Sequence, residues 1–181
     1  MTTEDADLVK QLKDPTSKNE AFRVLLSLYK ERLYYQIRSI VYTHDDTDDI
    51  LQETFIKIYN NIDTFKENSS LFSWMYRIAT NQALDFLKSK SRIQRISTAE
   101  LNELTIDQLQ ADSLFDGEAA EILLQKAINT LPEKQQLVFK MRYYQELDYE
   151  SLSEILDTSV GALKASYHHA VKKIEQYLQN N

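Results

Sequence analysis

Asp148-Tyr149-Glu150-Ser151-Leu152-Ser153-Glu154-Ile155-Leu156-Asp157-Thr158-Ser159-Val160-Gly161-Ala162-Leu163-Lys164 is the run of residues on which the fold turns. Asp148 offers a side-chain acceptor to the unpaired amides of a helix start, and Leu152, Ile155 and Leu156 follow at the steps of one apolar helix face. Asp157-Thr158-Ser159 interrupts that helix, because short polar side chains bond their own backbone and favour turns. Beyond it, Leu163, Tyr167, Ala170, Ile174 and Leu178 draw the core stripe of a longer helix. A short helix, a three-residue turn and a longer helix predict a helix-turn-helix.

Upstream of this pair, Leu131-Pro132-Glu133 is a helix start: proline suits the first turn, where no amide hydrogen is needed, and the carboxylate faces the positive end of the macrodipole. Leu137, Val138, Met141 and Tyr144 are expected to point inward from it. Further back, Ile93 to Glu121 carries one basic and seven acidic side chains and only a weak apolar pattern, as a connector or a marginal helix would. Residues 1–92 hold 13 basic and 14 acidic side chains, and residues 122–181 hold seven of each. The chain therefore divides into 1–92, an acidic connector 93–121, and 122–181.

In the first part, Ser17-Lys18-Asn19-Glu20 has capping-box spacing, and Phe22, Leu25, Leu26, Tyr29, Leu33, Ile37 and Ile40 predict a helix of about 25 residues. His44 to Thr47 breaks the pattern. Ile50, Leu51, Thr54, Phe55, Ile58, Tyr59 and Ile62 then form a second stripe, with Asp45 or Asp46 near its cap. A further helix starts at Ser69 or Ser70, with Leu71, Met75, Ile78, Ala79 and Phe86 inward and Arg77, Asn81, Asp85, Lys88 and Arg92 along its other face.

Composition agrees. Gly117, Gly161, Pro15 and Pro132 are the whole complement of turn-forming glycine and proline, far below the ~12% combined share of average proteins. Sheet folds, Gly-rich phosphate loops and dinucleotide fingerprints are thereby excluded, which leaves an all-α chain. The absence of cysteine removes disulfide frameworks and thiolate-held metals and fits a reducing, cytoplasmic setting. No apolar run approaches the ~20 residues of a membrane span, and the acidic Met1 to Asp7 lacks a signal-peptide core. A net charge of -7 speaks against nucleic acid only if it is evenly spread, and here it sits in the connector.

Three sets of residues resemble a known family. Asp46-Thr47-Asp48-Asp49-Ile50-Leu51-Gln52-Glu53-Thr54-Phe55-Ile56-Lys57-Ile58-Tyr59 is similar to the polymerase-docking region of bacterial sigma factors of the extracytoplasmic-function (ECF) group. Phe72-Ser73-Trp74-Met75-Tyr76-Arg77-Ile78-Ala79-Thr80-Asn81-Gln82-Ala83-Leu84-Asp85-Phe86 resembles the adjoining promoter-melting region. Leu131-Pro132-Glu133-Lys134-Gln135-Gln136, Tyr149 to Leu156 and Ser159 to Lys164 are similar to the C-terminal promoter-binding domain. The resemblance implies two small helical domains joined by a linker. The C-terminal one would be a helix-turn-helix (winged-helix-like) DNA-binding domain, and the chain would be a non-catalytic specificity subunit that takes core RNA polymerase to promoter DNA.

Residue roles follow from it. Asp49, Gln52, Glu53 and Ile56 fall at i, i+3, i+4 and i+7 and share one face. In the family this segment meets a coiled coil of the largest polymerase subunit, and the alternative is a plain solvated face. For the -10 element, the polar loop Asp63 to Ser70 precedes the helix of Trp74 and in the family helps capture a flipped base. An unstacked base presents a hydrogen-bonding edge and a π face, so Phe65, Asn68, Ser69 and, from the helix, Asn81 are candidate receptors. Arg77 lies on the same helix face, and Lys88, Lys90 and Arg92 are placed for phosphates. Trp74 falls on the Leu71 and Ile78 stripe, which favours burial over direct stacking on DNA.

For the -35 element, Ser159, Lys164, His168, His169 and Lys172 lie off the core stripe of the second helix, which holds no arginine, so bidentate guanine readout by that residue is missing from it. Weaker binding, or binding through groove shape and phosphate, is the expectation. Metal at His168-His169 is disfavoured, because adjacent helical residues diverge by ~100°. Catalysis at Asp48 and Asp49 finds no support, with no histidine placed on the same face. No cofactor and no small-molecule substrate are expected. Many relatives are held by an anti-sigma protein, although no residue here identifies one. The acidic connector would run close to the polymerase active site, as a nucleic-acid mimic or as a solubilising tether. A DNA-binding regulator acting without polymerase is the competing reading, and the Asp49, Gln52 and Glu53 face separates the two.

Overall fold

The computed structural model describes residues 3–94, 97, 100 and 119–180. Contacts divide the chain into two compact units, 1–84 and 85–181. The described residues are helical with no strand among them, so any likeness to a winged helix lies in the helices. Most of the expected connector, 93–121, lies outside the described residues.

In the first unit, α1 (Thr3–Lys13), α2 (Lys18–Val41) and α3 (His44–Asn61) are followed by a 3-10 turn (Ile62–Thr64) and by α4 (Leu71–Gln94), whose last turns pass into the second unit. Helix α1 was not expected. Its Leu8, Val9 and Leu12 are buried, and Tyr29 on α2 donates its hydroxyl to Asp5 at 3.2 Å. The N-terminal acidic run therefore hides a one-sided helix whose apolar residues begin only at its middle. The capping-box reading of Ser17 is also corrected. Ser17 stands at the N-cap of α2 without a side-chain cap bond, because its hydroxyl donates to the carbonyl of Gln11 at 2.9 Å and closes the α1–α2 turn instead.

Helix α2 buries Leu25, Leu33, Ile37 and Ile40 as the stripe requires, each worth ~1.5–3 kcal/mol when fully removed from water. The break after it is shorter than His44 to Thr47. Tyr42, in left-handed conformation at φ 66, and Thr43 make the whole bend, and His44 already begins α3. Thr43 donates its hydroxyl to Asp46 at 2.5 Å. Ser70 caps α4 by accepting the amide of Ser73 at 3.0 Å, and a buried bond from Gln36 to the hydroxyl of Thr80 ties α2 to α4 at 2.8 Å.

In the second unit, α5 (Ala119–Asn129), α6 (Glu133–Tyr143), α7 (Tyr149–Leu156) and α8 (Val160–Asn180) follow. Ala127, Ile128, Leu131, Phe139, Ala170 and Ile174 make its core. Pro132 is the N-cap of α6. Helix α6 is buried around a full turn, Val138 to Met141, so a single inward face is the wrong picture of it. Tyr144 is 40% exposed rather than inward. The helix-turn-helix stands where expected: Asp148 accepts the amide of Ser151 at 2.6 Å, and Asp157, at φ 49, ends α7 in left-handed conformation.

Candidate polymerase and promoter interfaces

Helix α3 buries Ile50, Leu51, Phe55 and Ile58 against its own unit, which leaves Asp49, Gln52, Glu53 and Ile56 in solvent. Ile56 is 60% exposed, a large apolar side chain inside a polar face. The structure adds a residue that periodicity did not flag. Gln82 on α4 donates to Glu53 at 3.4 Å and accepts from Lys57, so one amide sets the positions of two charges at the edge of the face. Spacing within α3 could not reveal a partner from another helix.

At the start of α3, His44 corrects the statement that no histidine shares the face of Asp48. Because the helix begins at His44, its Nε2 lies 3.4 Å from Asp48, while Nδ1 meets the hydroxyl of Tyr34 at 2.7 Å. The trio is only partly exposed, with Tyr34 and Asp48 half-buried beside an exposed His44, and it fastens the bend between α2 and α3.

The loop from Phe65 to Ser70 presents Lys66, Glu67 and Asn68 to solvent and leaves Ser69 half-buried. Phe65 is withdrawn as a base receptor. Its side chain is 3% exposed and its ring packs 5.3 Å from that of Trp74, so it forms the floor under the loop. Trp74 is half-buried against it. On α4, Arg77, Asn81, Lys88 and Arg92 are all exposed, while Lys90 lies over the ring of Phe86 at 5.4 Å. Tyr76 donates its hydroxyl to the carbonyl of Arg32 at 3.1 Å, and burial pushes this phenol above its ordinary value, partly offset by the Arg32 charge.

On the helix-turn-helix, Ser159, Lys164, His168, His169 and Lys172 are exposed. The hydroxyl of Ser159 accepts the amide of Ala162 at 3.4 Å, a long cap bond that leaves the side chain near the start of α8. Tyr149, at the start of α7, has two cations against its ring, Arg142 at 5.1 Å and Lys164 at 5.6 Å. Arg142 also donates to the carbonyl of Leu147 at 2.7 Å. An arginine absent from α8 thus stands beside it, supplied by α6. Burial drives the ammonium of Lys140, on the same helix, down to about 7.

Two family models match this arrangement, Sigma-70 region 2 over residues 25–93 and Sigma-70 region 4 over residues 121–174. The chain is 30% identical over 180 residues to the ECF RNA polymerase sigma factor SigW of Bacillus subtilis, covering 95% of each chain. The chain belongs to the ECF sigma factors. It is also 28% identical to the ECF RNA polymerase sigma-E factor of Haemophilus influenzae, covering 97% of this chain and 95% of that one. The fold matches that of CnrH, solved in complex with the cytosolic domain of CnrY, at a TM-score of 0.70 and 20% identity over 98% of both chains. As an ECF sigma factor it directs promoter-dependent initiation by RNA polymerase, with core polymerase and promoter DNA as partners. Sigma factors are initiation factors rather than enzymes.

Proposed function

We propose that residues 1–92 bind core polymerase and open the -10 element, that 93–121 link the halves, and that 122–181 read the -35 element. The observation that carries this reading is the solvent face of Asp49, Gln52, Glu53 and Ile56, one apolar side chain among hydrogen-bonding and acidic groups, standing on a helix whose opposite face is fully used by the core. A basic partner helix would find there both charge and an apolar anchor. Asn68, Ser69 and Asn81 are the receptors for an unstacked -10 base, with Arg77, Lys88 and Arg92 on the strand backbone. Ser159, Lys164 and His168 meet the -35 major groove, with His169 and Lys172 toward phosphate.

The chain itself catalyses nothing in this reading and works in the cytoplasm. Among the described residues, no helix is long and apolar enough to cross a membrane. A protein of the anti-sigma class is the regulatory partner, supported by a structural neighbour, the sigma factor RpoE of Bartonella quintana, solved with the anti-sigma factor NepR (TM-score 0.64). The test begins with run-off transcription by core polymerase plus this chain on a randomised promoter library, which yields the promoter. Asp49→Arg combined with Glu53→Arg should then abolish co-elution with core and run-off product. Unchanged transcription by that double variant would remove the polymerase-binding assignment.

A further inference from the structure

The loop read above as the base receptor is held from a helix that precedes the matched Sigma-70 region 2 segment. Lys13, the last residue of α1, places one Nζ atom 2.9 Å from the carbonyl oxygen of Phe65 and 2.9 Å from Oε1 of Glu67. The same ammonium lies 5.7 Å from the centroid of the Phe65 ring. Glu67 takes a left-handed conformation at φ 61, which a residue other than glycine adopts only when its surroundings hold it there. The sequence supplies no glycine in this turn.

The rest of the loop is anchored at both ends. The amide of Phe65 donates to Ile62 at 3.1 Å, and Ser70 caps α4. A second contact from the α1–α2 junction runs alongside, with Lys18 over the ring of Tyr59 at 4.6 Å and 3.7 Å from Asp63. An exposed ion pair alone would signify little. Here the ammonium also satisfies a carbonyl that the turn leaves without a helical partner, on the residue whose ring floors the loop.

We propose that Lys13 is a positioning residue for promoter opening: it clamps Phe65 and Glu67 so that Asn68 and Ser69 are presented in a fixed geometry before DNA arrives. This rests on the reading of the loop as the -10 base receptor. Pre-organisation of this kind improves binding by removing an ordering cost, without Lys13 touching DNA. It also gives α1 a role that the packing of Leu8, Val9 and Leu12 does not require.

The test uses holoenzyme assembled with the full chain and a fluorescein-labelled single-stranded oligonucleotide carrying the library-selected -10 element. Affinity is measured for that strand and for one with the captured base replaced. Lys13→Met should weaken the matched strand about fivefold and narrow the gap between the two strands, with co-elution on core polymerase unchanged. Lys13→Arg, which keeps the donors and charge, should restore most of the loss. Glu67→Gln should act in the same direction but less, since the bond to Phe65 survives. If Asn68→Ala and Ser69→Ala erase base discrimination while Lys13→Met leaves it intact, the clamp is refuted and the loop reading stands. If Asn68→Ala and Ser69→Ala change nothing, the loop is not the receptor and the clamp falls with it.

Discussion

Thr54 is wholly buried on α3, and its hydroxyl has no hydrogen-bond partner among the described residues. A buried hydroxyl without a partner carries a desolvation cost that a valine of nearly the same shape avoids. Thr54→Val should therefore raise stability by about 1 kcal/mol, read as a higher urea midpoint by helix ellipticity. A lower midpoint would mean that the hydroxyl is satisfied after all. Lys140 carries a burial cost of another kind, that of a charge. Its ordinary value is 10.5 and burial lowers it to about 7. Between these values the unfolded chain holds the proton and the folded chain has released it, so stability rises with pH across that window and the full cost is felt below it. Urea unfolding at pH 7, 8 and 9 should show the native chain gaining on Lys140→Met by at most about 1.4 kcal/mol per unit. Parallel curves would show that the ammonium stays charged.

Helices were legible wherever an apolar stripe ran unbroken, as in Leu25 to Ile40 on α2 and Leu163 to Ile174 on α8, because burial on one face imposes the period directly. What escaped depended on partners distant in the chain. Ser17 has the local pattern of a cap, yet its hydroxyl meets Gln11; Phe65 has the composition of a base receptor, yet its ring meets Trp74; Gln82 gives no signal until α4 brings it to Glu53 and Lys57. Spacing likewise cannot say why a glycine stands near the start of α8. A Cβ added at Gly161 would meet nothing within 4 Å, so folding of this chain does not demand glycine there. Alanine should stabilise the helix by up to ~1 kcal/mol. If the start of α8 enters the major groove, the added methyl narrows the approach to DNA. Gly161→Ala should then raise the melting temperature while weakening binding of holoenzyme to the selected -35 duplex several-fold. Tighter or equal DNA binding would place the groove contact further along the helix.

Across the whole molecule, six of the seven excess negative charges belong to the connector and the flanking parts are close to neutral, so DNA affinity should answer to local cations rather than to the net charge of -7. Lys88, Arg92, Lys164 and Lys172 are exposed on α4 and α8, and each phosphate contact releases counterions and steepens the fall of log affinity with log salt by up to ~0.9 on duplex and ~0.7 on single strands. Replacing the four by glutamine should flatten the salt slope of holoenzyme on the selected promoter by as much as ~3. Replacing Glu103, Asp107, Asp112, Asp116 and Glu118 in the connector by their amides brings the net charge from -7 to about -2, yet it releases no counterion from DNA and should leave that slope where it was. The two variants move charge in opposite directions, so an effect of net charge and an effect of placed cations predict different orders of slope. A slope that tracked net charge in both would mean that long-range attraction, and not contact at these four side chains, sets the affinity.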